Sequence, residues 1–259
     1  MDIGWLQLGL FMLVLLVPLA IGRYFQLGLN RDMLSAVIRM TVQLILVGLY
    51  LQYLFVLDSI WVNLAWLLVM LLVGSSSIIS KAKLPKRVLF QPVFLGLALG
   101  LFPVLWLMMV FLLSPEPIYT AQYLIPTAGM LLGNCLSGNI VALQRLFGAF
   151  SDRKAEYQGA LALGASPRQA SLPFVQAAMQ QSFAPILATM ATTGLVTLPG
   201  MMTGQILGGV DPLIAIKYQI VILVAIFVTL SVSVSVTLLL CVRQAIAPTG
   251  RIRIALLSD

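Results

Sequence analysis

Two stretches of the sequence set thioethers and amides beside glycine and proline. One is Ile125-Pro126-Thr127-Ala128-Gly129-Met130, continuing to Gly133-Asn134. The other is Leu198-Pro199-Gly200-Met201-Met202-Thr203-Gly204-Gln205. Methionine sulfur is a soft donor, and Asn, Gln and Thr offer harder oxygens. Together they suit a transient site for a metal ion or a polar solute. They also suit plain packing, because methionine fills irregular gaps beside Gly and Pro. Spacing alone leaves both readings open. A third set, Ser35, Arg39 and Gln43, recurs every four residues and makes one polar stripe on a helix. A fixed cation repels metal ions, so Arg39 suits a counter-ion, a gate or an anion contact better than direct ligation. An Arg near a span end also snorkels to the interface.

Other chemistries are excluded by composition. The chain has no His, and its two cysteines, Cys135 and Cys241, lie in apolar runs with no CxxC pair. His-based zinc sites and Ser-His-Asp or Cys-His catalysis are therefore absent. No recognisable nucleophile–base pair stands in the spans. No phosphate-loop pattern is present, so the chain carries no ATPase of its own, and no resident cofactor is expected. The net charge of +7 sits in short connections between apolar runs. That pattern fits loops retained in the cytoplasm rather than nucleic-acid binding.

These residues must be held by elements in lipid. Of 259 residues, 61% are hydrophobic and only 9% charged, with a mean hydropathy of +1.05. A soluble fold has about 25% charged residues to cover its surface. Spanning helices need about 20 apolar residues. About seven such segments are read near 5–22, 33–55, 60–79, 89–113, 122–146, 174–198 and 213–242. The first lacks the basic start of a signal peptide and reads as a retained span. Lys and Arg fill every second connection, while the others hold only Asp58, Glu116 or Asp211. The expectation is one all-α polytopic domain over 1–259 in an inner or plasma membrane. Its N-terminus lies outside and its C-terminus in the cytoplasm. Asn134, Ser137 and Asn139 are expected to bond across helices. Asp211-Pro212 is expected to start the last span, with Lys217 pairing with Asp211 or reaching headgroups.

The connection from Ser151 to Pro173 reads SDRKAEYQGALALGASPRQASLP. Ser151 is expected to cap a short helix bearing Lys154 and Glu156. Gly164 ends it and Ser166-Pro167 starts the next. Such a helix either rests on headgroups or docks a cytoplasmic partner. LGASPRQA followed by LP resembles the coupling motif of ABC-transporter permeases. Where that motif has an acidic start, six residues before Gly164, this chain has Gln158; its nearest acid is Glu156.

GLVTLPGMMTGQILGGVDPLIAIKYQI, from Gly194 to Ile220, resembles the signature of the FetB-type iron export permease family, to which plant proteins linked to aluminium tolerance are similar. IPTAGMLLGN, Arg39 and Gln43 followed by LILVGLYLQY, and LGAS resemble it in the same order. The resemblance runs from about Arg31 to about Tyr218. It implies two permeases paired with two cytoplasmic ATPase subunits that use ATP to export a metal, with iron as the implied cargo. Arg39, Gln43, Met130, Asn134, Met201, Met202 and Gln205 would then line the path. Glu156, Gly164, Ser166 and Pro167 would couple it to the ATPase. One departure is visible: where several members carry Asp and Lys, this chain has Ala188 and Ala191. The alternative is a stand-alone, gradient-driven transporter or channel. The scarcity of Asp, Glu and His in the spans argues against proton coupling.

Overall fold

The structure is a computed structural model that describes residues 4–247 and 249–253. It is helical nearly throughout, in the order α1 (Trp5–Met12), α2 (Leu16–Tyr24), α3 (Asn30–Leu57), α4 (Ile60–Lys81), α5 (Lys86–Leu107), α6 (Ala121–Asp152), α7 (Lys154–Ala162), α8 (Pro167–Thr192), α9 (Gly200–Leu207) and α10 (Pro212–Ala245). A 3-10 turn, Leu13–Leu15, joins α1 to α2, and a π-helical turn, Met108–Leu113, extends α5. Among the described residues, six helices are long and apolar enough to cross a membrane: Leu6–Tyr24, Asn30–Leu57, Ile60–Lys81, Lys86–Leu113, Ala121–Asp152 and Pro212–Ala245. The remaining expected span, near 174–198, corresponds to α8. That helix has 26 residues but carries Pro173, Pro185 and several Gln and Ser, which lower its hydropathy. It stops at Thr192, and the chain then turns through Gly194 at φ +90°.

The chain divides into two compact units, with the boundary between Leu57 and Asp58. In the first, α2 returns against α3, with Gly22 beside the Asn30 side chain. Arg39 and Gln43 lie on α3 of this unit and are exposed.

The second unit is a bundle centred on α10, which packs most extensively on α5 and also on α6 and α8. Small residues make the α5–α10 seam possible. A Cβ on Gly100 would stand 2.7 Å from the Thr229 carbonyl oxygen and 2.9 Å from Ser233 Cβ. One on Gly96 would stand 2.9 Å from the Ser233 carbonyl oxygen. Two glycines four residues apart thus lie against Thr229, Ser233 and Thr237, all fully buried. In lipid there is no hydrophobic force between helices, so this backbone approach supplies the packing instead. Hydrogen bonds add to it: Asn139 Nδ2 donates to Ser233 Oγ at 2.9 Å, and Ser182 Oγ donates to the Gly138 carbonyl at 2.9 Å. Asn139 therefore bonds across helices as expected. Asn134 does not; its Nδ2 donates to the Met130 carbonyl on its own helix at 2.9 Å. Ser137 likewise bonds within α6, to the Asn134 carbonyl.

The two ends of this unit differ in charge. At one end Asp58 Oδ1 accepts from the Ala121 amide at 2.8 Å, placing an acid at the positive N-terminus of α6. Asn63 Nδ2 donates to the Tyr119 carbonyl at 2.8 Å beside it. Asp211 caps α10, its Oδ1 accepting from the Leu213 amide at 2.7 Å. Lys217 is exposed and, among the described residues, forms no ion pair with Asp211. At the other end Gln144 Nε2 closes α4 on the Lys81 carbonyl at 3.0 Å. Lys81, Lys86, Arg87, Arg145, Arg153, Lys154, Arg168 and Arg243 cluster around those helix termini.

Candidate functional site

The methionine-rich segments meet at the acidic end. Met130 on α6 and Met201 and Gln205 on α9 line one cavity of about 280 Å³. Met108, Gln122, Tyr123, Thr127 and Tyr218 are among the residues that also line it. The local sequence explains the placement. Gly194 turns the chain out of α8, Pro199 precedes the first turn of α9, and Gly208-Gly209 ends that helix with Gly209 at φ +91°. The result is a helix of 8 residues, too short to cross a bilayer, held beside the start of α10.

The donors here are thioethers, amides, phenols and the Thr127 hydroxyl, all neutral. Among the described residues, no group of three or more His, Cys, Asp and Glu stands ready to hold a metal ion. Such a lining has no charge with which to trap a divalent ion. It suits brief contact with a partly hydrated or already liganded one. Met202, next to Met201, is buried at 9% exposure. Asn134 lines a separate hollow of about 150 Å³ with Ser137, Ser182 and Thr189. Gln122, Tyr123 and Tyr218 escaped the sequence reading. Polar aromatics near span ends occur in any membrane protein, so nothing marked them out.

The opposite end holds the connection. The chain turns at Arg153 (φ −113°, ψ 34°) and forms α7. Ser151 does not cap it, contrary to expectation. The preceding helix runs on through Asp152, because Phe147 and Phe150 are buried in an aromatic cluster that keeps its last turns helical. Gly164 then ends the connection at φ +91°, where a side chain would be strained. Ser166 caps α8 through a reciprocal pair with Gln169, and Pro167 takes the first helical position. Glu156 accepts two bonds from Arg153, Nε at 2.8 Å and Nη2 at 2.6 Å.

One unforeseen residue fixes α7. Tyr157 is 2% exposed, and its ring lies 5.5 Å from Phe150 and 6.3 Å from Phe174. Its hydroxyl donates to the Gly250 carbonyl at 3.0 Å, tying α7 to the segment after α10. Burial pushes its phenol above the ordinary range, so it stays neutral. Arg153 lies over the Phe174 ring, 5.1 Å from its centre. The short helix is therefore bolted to α6, α8 and the segment after α10. Tyr157→Phe should keep the rings and lose the bond, costing about 1 kcal/mol. Tyr157→Ala should cost about 3–5 kcal/mol. Thermal unfolding of the detergent-solubilised protein checks both, and equal melting temperatures for the two variants would contradict the assignment.

Residues 5–246 match the model of UPF0014, described as an uncharacterised protein family. The chain belongs to this family. It is 36% identical over 218 residues to the UPF0014 membrane protein YjkA of Bacillus subtilis, covering 84% of this chain and 86% of that one. It is 34% identical over 223 residues to the protein ALUMINUM SENSITIVE 3 of Arabidopsis thaliana, covering 85% and 79%. It is 31% identical over 216 residues to the "Probable iron export permease protein FetB" of Escherichia coli, covering 83% and 82%. No solved structure matches the chain. With its apolar helices and UPF0014 relatives, it is a multi-pass membrane protein.

Proposed function

We propose that the chain is the membrane-spanning permease subunit of an ABC-type exporter of metal, iron above all, driven by a separate cytoplasmic ATPase. Two permeases pair with two ATPase subunits in this reading, and ATP is consumed only by the partner. The observation that carries it is the rigid short helix α7. It joins two long helices, α6 and α8, at the basic end and is pinned to both through the Tyr157, Phe150 and Phe174 rings, and to the segment after α10 through the Tyr157 hydroxyl. A push on such a helix moves α6 and α8 as bodies, which is how nucleotide-driven closure reaches a membrane cavity. The positive-inside rule puts that end in the cytoplasm. The methionine cavity then opens toward the outside, where cargo would leave. The likeness to a protein named as an iron export permease supports the direction and the cargo.

Export from ATP-loaded vesicles containing permease and ATPase tests the path. Met130→Ala combined with Met201→Ala should lower metal efflux several-fold while the ATPase still binds. Unchanged efflux would remove these thioethers from the route.

A further inference from the structure

A second cavity, of about 660 Å³, opens at the basic end between the first turns of α8 and the last turns of α10. Its wall is apolar, including Leu172, Val175 and Leu239, and its rim carries Arg168, Arg243 and Arg253. All three arginines are exposed. Among the described residues, no carboxylate or other hydrogen-bonding group engages any of the three guanidinium groups. The nearby acids are elsewhere: Glu156 is paired with Arg153, and Asp152 lines a different hollow with Arg145 and Arg153.

Three guanidinium groups around one hollow, unpaired among the described residues, repel each other. Each is a bidentate partner for a phosphate. The volume is that of a small-molecule site. A free anion would leave the apolar wall unused, and an acyl chain alone would leave the arginines unpaired. In a membrane protein one molecule satisfies both. We infer that this cavity binds an anionic phospholipid, with the phosphodiester on Arg168, Arg243 and Arg253 and the first part of an acyl chain along Leu172, Val175 and Leu239. Basic pockets between helices are the places where anionic headgroups settle. The site includes Ser166 and Pro167, so a bound lipid would brace the start of α8 against α10. The inference needs only the membrane setting and stands apart from the ATPase reading.

The test uses the full chain, stripped of lipid in detergent. It is titrated with phosphatidylglycerol, with phosphatidylcholine of the same chains, or with inorganic phosphate, and read by native mass spectrometry and by melting temperature. Phosphatidylglycerol should bind and raise the melting temperature more than phosphatidylcholine, and phosphate should not displace it. The variant R168Q/R243Q/R253Q should bind it on the order of a hundredfold more weakly, since each basic residue facing an anionic lipid is worth about a factor of five. The variant K81Q/R87Q/K154Q, with equal charge loss at the same end, should bind normally. Leu239→Trp, which fills the wall without changing charge, should also weaken binding, and it keeps the test decisive if the arginine variant misfolds. Equal binding of the two lipids would show an apolar groove only. Displacement by phosphate, with no gain from the lipid, would show a free-anion site. An equal loss in the control would show general surface charge. Unchanged binding in Leu239→Trp would remove the acyl wall. Each of these results overturns the proposal.

Discussion

Gly100→Leu is expected to leave almost no folded protein after detergent extraction, whereas Gly133→Leu extracts as the wild type does. The contrast follows from what each new side chain meets. Beyond Gly100 a Cβ would already lie 2.7 Å from the Thr229 carbonyl and 2.9 Å from Ser233 Cβ, so backbone as well as side chain must give way. Beyond Gly133 nothing lies within 4 Å. Ordinary overpacking costs about 1–3 kcal/mol. Here two long helices must separate, which breaks the seam and strains the Asn139–Ser233 bond beside it. A loss well above that range uses most of the roughly 5–15 kcal/mol that holds a typical fold. Fluorescence-detected size-exclusion chromatography of the two variants reads the difference. A monodisperse Gly100→Leu peak of normal height would show that α5 and α10 do not approach as described.

The second large effect concerns transport without loss of fold. Gly164→Trp is expected to abolish ATP-driven efflux while the protein inserts and stays monodisperse. The glycine sits at φ +91° with open space beyond it, so the substitution meets no atom of the chain. Its fold cost is the left-handed backbone strain, about 1–2 kcal/mol. Gly164→Ala carries that same strain with almost no bulk. It therefore separates the two causes: alanine should retain most efflux, and tryptophan none, because only the large ring blocks a docking partner. Equal losses in both variants would trace the defect to strain, and normal efflux in Gly164→Trp would end the coupling role of this connection.

How much of this was legible in the sequence depends on what signal each element carries. Long apolar runs fix where helices lie in lipid: α3, α4 and α10 fall close to expectation, α5 reaches its expected end only with the π-helical turn Met108–Leu113, and α6 runs on to Asp152, past the expected end at 146. The segment near 174–198 was readable as a helix but not by its end. Its apolar stretch continues past Thr192, yet Gly194 and Pro199 turn the backbone away. Gly164 and Ser166-Pro167 announced the end of one helix and the start of the next, because backbone sign and capping are local properties. Ser151 misled for the opposite reason. Its capping chemistry is local, but burial of Phe150 against Tyr157 and Phe174 is tertiary and extends α6 past it. The likeness of the two Pro-Gly-Met segments brought Met130, Met201 and Gln205 to notice, and all three line one cavity. Arg39 and Gln43 belong to the first unit and Asn134 to another hollow. Tyr157 left no trace, since one aromatic in a polar stretch says nothing about Gly250, far along the chain.

In the proposed reading a separate ATPase drives this chain through α7. Mild-detergent purification from the native host, with identification of the co-purifying chains, tests it most directly. A stoichiometric partner bearing a phosphate loop is expected, retained by the wild type and by Gly164→Ala and lost in Gly164→Trp. A clean assembly of this chain alone, unchanged after crosslinking in the membrane, would contradict it. The result would point instead to a gradient-driven transporter with α7 lying on the headgroups.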